Sequence, residues 1–362
     1  MAGLTKALAD AGHNVTFVAQ NEISADRVAQ GWTVPDLGGA QLKFAPTKAA
    51  VKSIVAGAPA EAIHICQGIR SNGLVSVAQK SLRKLGRKQL VVMETVDDQG
   101  WQGAIKRLIY RFLFFRFGRY LSGVLASGIS TRNWLIKRGV ASHKVFPFAY
   151  FLPETETRPT THKHSAPDRY RILFVGQFIE LKRLDILITA ISRLDSKKVE
   201  LAVVGSGPLE DQLKLLAEDA LPGRVDWVGG LPMDEVRAQM VLADCLVLPS
   251  RHDGWGAVVS EALMSGTPAI CSDACGAAVV AKASGYGGVF KSGRVDDLVT
   301  LLDARVGGGR LSDQQCDELA EWARCLAGPA GAEYLKGILE AIETSAPAPK
   351  PPWNVSAAES GH

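Results

Sequence analysis

The chain has 362 residues, 47% of them hydrophobic and 22% charged, with a net charge of +4. That length holds roughly two domains of ordinary size, and the composition is that of a packed globular protein, not a disordered one. So small a net charge gives no argument for nucleic acid as a partner, and no apolar run approaches the ~18 residues needed to span a bilayer.

No basic segment followed by an apolar one stands at the start, so a cytoplasmic protein is expected. The six cysteines (66, 245, 271, 275, 316, 325) are scattered through mostly apolar stretches. They read as free buried thiols of a reducing compartment. Cys271 and Cys275 are close, but no second His or Cys pair completes a metal site. Two sequons, at Asn14 and Asn354, have no meaning without secretion.

In chain order, LTKALADAG (4–12) predicts a helix closed by Gly12, and HNVTFVAQ (13–20) a strand. EAIHICQG (61–68), KQLVVMET (88–95) and GVLASG (123–128) read as further strands, followed by a helix over 131–138 and strand-like KVFPFAYFL (144–152). Residues 1–152 form one domain. Residues 153–168, rich in Pro, Thr and His, form a linker.

From 169 to 327 the alternation is more regular. RILFV (171–175), VELAVVG (199–205), RVDWVG, CLVLPS (245–250) and PAICS (268–272) are strands. Helical spacing fills 184–194, 208–220, 234–242 and the VVSEALMSG segment between them. Strands apolar on both faces, alternating with amphipathic helices, predict an α/β doubly wound parallel sheet that binds its ligand at the strands' carboxyl ends. Residues 328–344 read as a C-terminal helix, and 345–362, rich in Pro and Ala, as an unstructured tail.

The stretch RHDGWGAVVSEALMSG contains two acids, Asp253 and Glu261, separated by seven residues. The loop DGWG leads into a helix whose first N–H groups lack intrahelical partners, an end that favours anions and phosphates above all. Lys182, in the loop GQFIELKR (176–183) after another strand, belongs to the same rim. Together they suggest a diphosphate held without metal, with the carboxylates accepting hydroxyl donors of a sugar or ribose. Taken singly, an acid before a helix is most often an N-cap, and an acid inside one is often an ordinary surface residue.

In combination these motifs resemble the donor domain of the retaining GT-B glycosyltransferases of family 4, the group 1 type, including bacterial surface-polysaccharide transferases. The resemblance implies two Rossmann-like domains facing across a cleft. The family's acid–seven residues–acid motif stands here as Asp253-GWGAVVS-Glu261. It implies that Asp253 contacts the transferred sugar and Glu261 the ribose. The family's Gly-Arg-x4-Lys stretch reads Gly176-Gln177-x4-Lys182, with the arginine replaced. Gly205 and Gly207 of GSGP, and Gly229, match the nucleotide-facing turns. Gly254, Trp255, Gly256, Ala257 and Val258 complete the implied donor site. Asp253 stands where Glu is commoner, and Gln177 supplies no charge, so slower turnover is expected.

The implied reaction moves a sugar from a nucleotide-diphosphate sugar, the co-substrate, to a lipid-linked or oligosaccharide acceptor, with retention and with neither metal nor cofactor. Electrostatic stabilisation of the leaving diphosphate dominates such chemistry. A non-catalytic or degenerate nucleotide-sugar binding protein is the alternative, and an epimerase of the same fold is disfavoured by the acceptor-side residues below. GSGPLE lacks the third glycine of a dinucleotide fingerprint, which sets a nicotinamide oxidoreductase aside.

On the acceptor side, GWQGAIKRLIYRFLFFRFGRYL (100–121) mixes five bases with apolar and aromatic side chains. It suits an anionic membrane surface, through 104–121, at the inner face of the cytoplasmic membrane. A buried helix with snorkelling arginines is the competing reading. Family members often place a histidine at the end of the strand LVVMET. Glu94 is the candidate catalytic group there, with Asp97 and Asp98 in the loop beyond it as lesser ones. His64, on the strand EAIHICQG, is an alternative polar group for the cleft, though a lone histidine on an apolar strand is more often packed. The family also opens with a strand and a Gly-rich loop before the first helix. The expectation is therefore an N-terminal domain without its first strand, with no strand before residue 13 and a gapped or re-paired sheet.

Overall fold

The computed structural model describes residues 1–23, 34–98, 100–128, 130–154, 169–196 and 198–354. Two units are present. The first comprises residues 1–23, Pro35–Pro153 and Ala327–Pro352; the second comprises Glu154–Leu326 with Trp353 and Asn354. The proposed linker falls almost wholly outside the described residues.

The second unit is built on one parallel sheet of six strands: β7 (Tyr170–Val175), β8 (Val199–Val204), β9 (Val225–Gly229), β10 (Cys245–Leu248), β11 (Ala269–Ser272) and β12 (Gly288–Phe290). Its order is β12-β11-β10-β7-β8-β9, so the chain runs outward from β7 in one direction and then restarts at β10 in the other. The order reverses between β7 and β10, and sheets of this kind bind ligands outside the carboxyl ends of the strands at such a reversal. Ile172, Leu173, Leu201, Ala202, Leu246 and Val247 are fully buried on both faces of the central strands. That is the burial a parallel sheet covered by helices requires.

The first unit has two sheets. The strands β3 (His64–Gln67), β4 (Gln89–Glu94), β5 (Gly123–Ser127) and β6 (Val145–Phe148) form one parallel sheet in chain order, and β1 (Thr16–Ala19) pairs only with β2 (Gln41–Phe44). Among the described residues no strand precedes residue 13 and no ladder joins β1 to β3. The expected gap is present. Its physical trace is apolar exposure: Val18, Leu42, Phe44 and Ile65 are each at least 36% exposed, whereas β4 and β5 are buried almost throughout.

At the C-terminal end the expected helix is present as Gly328–Thr344 and belongs to the first unit, whereas the expectation of an unstructured tail from 345 is corrected in part. That helix packs on the helix Ala2–Asp10 at glycines: a Cβ on Gly328 would lie 2.2 Å from Gly3 O. The Gly328 N–H donates to Leu152 O (2.8 Å), and Tyr334 Oη donates to Pro147 O (2.9 Å). The tail is ordered to Asn354, ending in a 3-10 turn over Pro352–Asn354. Trp353 is only 4% exposed and lies 6.4 Å from the Trp255 ring. One indole buries enough apolar area to hold a segment whose prolines leave little entropy to lose. Residues 355–362 lie outside the described residues.

Candidate functional site

The loops following β7, β8 and β10 are fastened to one another by backbone. After β7, Phe178 N–H donates to Ser206 O (2.9 Å) and Leu209 N–H to Phe178 O (3.1 Å). Gly205 has φ 139°, and a Cβ there would meet Gly176 O at 2.0 Å, so glycine is required for the β7 and β8 loops to touch. Gly207 is equally confined, against the Phe178 backbone. Gly205 N–H also donates to Gly229 O (2.8 Å), which draws in the turn after β9. Arg251 N–H donates to Leu181 O (2.8 Å), tying the β10 loop to the β7 loop across the reversal point.

These fastenings bring Lys182 and Asp253 together. Lys182 Nζ lies 2.6 Å from Asp253 Oδ2, with side chains 23% and 15% exposed. The Asp253 loop is strapped from the other side by the segment after β11. Asp253 N–H donates to Ala274 O (3.1 Å), Gly276 N–H to Asp253 O (3.0 Å) and the Cys275 thiol to Trp255 O (3.0 Å). Trp255, fully buried, donates its indole N–H to Ser260 Oγ (3.1 Å).

The helix Ala257–Met264 begins at Gly256, whose φ is 85°. A Cβ there would come within 2.6 Å of Cys275 Sγ. This left-handed turn aims the amides of Ala257 and Val258, which precede the first intrahelical bond, out of the helix end. One turn on, burial pushes the Glu261 carboxyl up to about 7, and the Arg237 guanidinium offsets that only in part. A carboxyl in that position gains most from ligand hydroxyls that hydrogen-bond its charged form. Gly176 and the exposed Gln177 lie at the start of the β7 loop, and Gly254 in the β10 loop.

The sequence-derived donor residues thus converge on one rim of the second unit. Arg251, Cys275 and Arg237, which position or tune them, have no role at this rim in the sequence reading, where Cys275 stands only as a buried thiol near Cys271. None forms part of a motif, because each acts through a backbone bond, a packed sulfur or a distant charge. Among the described residues all six cysteines are free, and five of them are buried. No group of three His, Cys, Asp or Glu is placed as metal ligands would be among them.

In the first unit, Glu94 ends β4 and accepts a hydrogen bond from Tyr150 Oη. Tyr150 was not singled out; the only signal was its place in FPFAYFL. Asp98 is a structural anchor, accepting from Trp134 Nε1 (2.9 Å) and from the buried Arg138 guanidinium. His64 is the first residue of β3, in register with Gln89, the first residue of β4, and so lies at the amino end of the sheet. That sets it away from the carboxyl ends of the strands, against its reading as an alternative polar group for the cleft. Burial, and then the Arg87 charge, hold its imidazole below the usual range.

The fold recurs in solved structures. The chain matches the lipopolysaccharide outer core galactosyltransferase WaaB (TM-score 0.63, 18% identity, covering 85% of this chain and 84% of that one). It also matches Anabaena Alr3699/HepE in complex with UDP-glucose (TM-score 0.66, 13% identity, 95% and 94% covered). The fold is GT-B. Within it, residues 158–315 match the family model described as glycosyl transferases group 1. Among curated proteins, the GDP-mannose-dependent alpha-(1-6)-phosphatidylinositol monomannoside mannosyltransferase of Mycobacterium tuberculosis is 27% identical over 198 residues, 51% of this chain and 48% of that protein. The chain spans about half the length of that relative. The GT-B second unit thus holds both the matched segment and the converged rim.

Proposed function

We propose that the protein is a retaining glycosyltransferase moving a sugar from a nucleotide-diphosphate sugar to a lipid-linked or oligosaccharide acceptor, without metal. The observation that carries this reading is the meeting of Lys182 and Asp253 at 2.6 Å, from loops on either side of the sheet's reversal point. Lys182 and the amides of Ala257 and Val258 take up charge developing on the departing diphosphate. Asp253 faces the transferred sugar, and Glu261 accepts the ribose hydroxyls. Because Lys182 is paired with Asp253, the diphosphate exchanges one anionic partner of the lysine for another, and the charge never goes uncompensated. Glu94, held by Tyr150, is the acceptor-side carboxylate. Similar proteins support a nucleotide sugar as donor: one mannosyltransferase is GDP-mannose-dependent, and the HepE structure is a complex with UDP-glucose.

The helix Gly100–Phe117 supports peripheral attachment to the inner face of the cytoplasmic membrane. Trp101, Ile105, Leu108, Phe112 and Phe115 recur at helical spacing, and each is at least 51% exposed. Arg107, Arg111, Arg116 and Arg119 are exposed alongside them. An apolar stripe flanked by cations is what an interfacial helix presents to anionic lipid. The stripe starts at Trp101, ahead of the 104–121 span expected from the sequence. No helix among the described residues is long and apolar enough to cross a membrane.

Incubation with UDP- and GDP-sugars, read as transfer or as slow donor hydrolysis in EDTA, tests the proposal. Binding without turnover of any donor would establish the non-catalytic alternative. Anomeric NMR of the product tests retention.

A further inference from the structure

The first unit contains a pocket of about 340 Å³ that the donor chemistry does not use. It lies between the helices Val75–Lys84 and Gly100–Phe117, roofed by the loop after β3 and floored by the first residue of β4. Its volume lies within the range of ~300–1,000 Å³ usual for small-molecule sites.

One side of the pocket is cationic: Arg70, Lys80 and Arg83 line it. Among the described residues none of them pairs with an acid. The Arg83 guanidinium lies 4.1 Å from the Phe117 ring centroid and is half-buried. Burial and the nearby Arg116 charge both hold it below its ordinary range. Cations collected without counter-charge repel one another and gain from an anion set among them. Leu113 and Phe117 form an apolar wall.

Gln89 supplies an independent observation. It is 1% exposed, lines the pocket, and its Oε1 has no hydrogen-bond partner among the described residues. A buried amide oxygen without a donor is destabilising and uncommon in native proteins. A ligand hydroxyl would satisfy it.

We infer that this pocket is a second ligand site, taking a phosphate ester with a free hydroxyl: the phosphate sits among Arg70, Lys80 and Arg83, and the hydroxyl donates to Gln89. The site lies wholly in the first unit, so the inference goes beyond the proposed transfer and does not rest on it. The shared chemistry has two sources, a soluble polyol phosphate or the glycerol phosphate headgroup of a lipid.

The full chain is titrated calorimetrically with glycerol 3-phosphate, and separately with phosphatidylglycerol vesicles against phosphatidylcholine ones. Arg83→Gln removes a charge-assisted contact, and a loss of roughly tenfold or more in affinity is expected. Loss in the glycerol 3-phosphate arm identifies the soluble source. Binding and loss confined to phosphatidylglycerol identify the headgroup. Gln89→Leu relieves the unpaired amide, so it should raise the melting temperature without ligand and still weaken binding. Phe115→Asp should weaken vesicle attachment and leave glycerol 3-phosphate binding intact. Binding of a nucleotide diphosphate, read on the second unit, is unchanged in Arg83→Gln and separates a failure here from a failure of the transferase reading. No binding in either arm, or binding that neither Arg83→Gln nor Gln89→Leu reduces, overturns the inference.

Discussion

The two units share the βα plan but spend their apolar residues differently. In the second, the six strands form one sheet with both faces of its centre buried, and its loops are stitched by backbone hydrogen bonds. In the first, the sheet is divided, the β1 and β2 side chains are mostly exposed, and a further apolar stripe faces outward on the helix Gly100–Phe117. A site that must hold charges at fixed distances needs a rigid rim, because electrostatic stabilisation is lost when groups must reorganise. Surfaces that meet lipid or a variable acceptor need exposed apolar area instead.

The sharpest way to break this comparison is at the rim itself. Lys182→Ala should lower turnover by about 10²–10³-fold, with donor affinity falling more than roughly tenfold. Turnover in that variant equal to wild type, or strict dependence on a divalent ion, would remove the proposed mechanism. Asp253→Asn releases the lysine from its partner. It should abolish transfer yet tighten binding of the nucleotide diphosphate alone, as measured by titration.

Paired glycine substitutions test the difference in rigidity. Gly256 and Gly12 have nearly the same φ, 85° and 86°, but a Cβ meets Cys275 Sγ at 2.6 Å in the second unit and nothing within 4 Å in the first. Gly12→Ala should cost only the left-handed conformation, about 1 kcal/mol. Gly256→Ala adds overpacking and should cost about 2–4 kcal/mol in urea unfolding. Equal losses would show that the loop relaxes.

A pH series addresses the same rim. Glu261 titrates at about 7 in the folded chain against an ordinary value of 4.5, so folding favours its protonated form. Its stabilising contribution is complete below 4.5 and is lost as pH rises through 7, a change of roughly 3–4 kcal/mol. Glu261→Gln should flatten unfolding stability across that window. Nucleotide affinity, which needs the charged carboxylate for ribose, should rise with pH in wild type and not in the variant.

The smallest effect is expected at the divided sheet. Val18→Thr, on exposed β1, should change stability by less than ~0.5 kcal/mol, whereas Val203→Thr on buried β8 should cost at least ~1 kcal/mol. Hydrogen exchange should find the β1 and β2 amides open long before those of β7, β8 and β10.

Five of the six strands of the second unit were legible nearly to the residue, since runs such as CLVL and RILFV are apolar with turn residues at their ends, whereas the three-residue edge strand Gly288–Phe290 is too short to show a pattern. The acids and Lys182 were legible as candidates, because glycine, aromatic and carboxylate types at that spacing form a recognisable motif, and the structure brings Lys182 and Asp253 together. Less was visible in the first unit. The strand Gln41–Phe44 and the helices Lys48–Gly57 and Val75–Lys84 were not read. QLKF is too short and too polar to announce a strand, and those helices bury only two residues each.

The sequence by itself determined the class of fold and the residue types at the Lys182–Asp253 rim, and its boundary near 153 coincides with the division between the two units. These follow from periodicity and local turn chemistry, which act over a few positions. Only the tertiary structure decided that Lys182 and Asp253 pair, that Trp353 packs by Trp255 and that the helix Gly328–Thr344 returns to the first unit. It also decided that Arg70, Lys80, Arg83 and Gln89 line one pocket. Each joins residues far apart in the chain or on separate elements, through packing and charge between surfaces whose meeting no local pattern encodes.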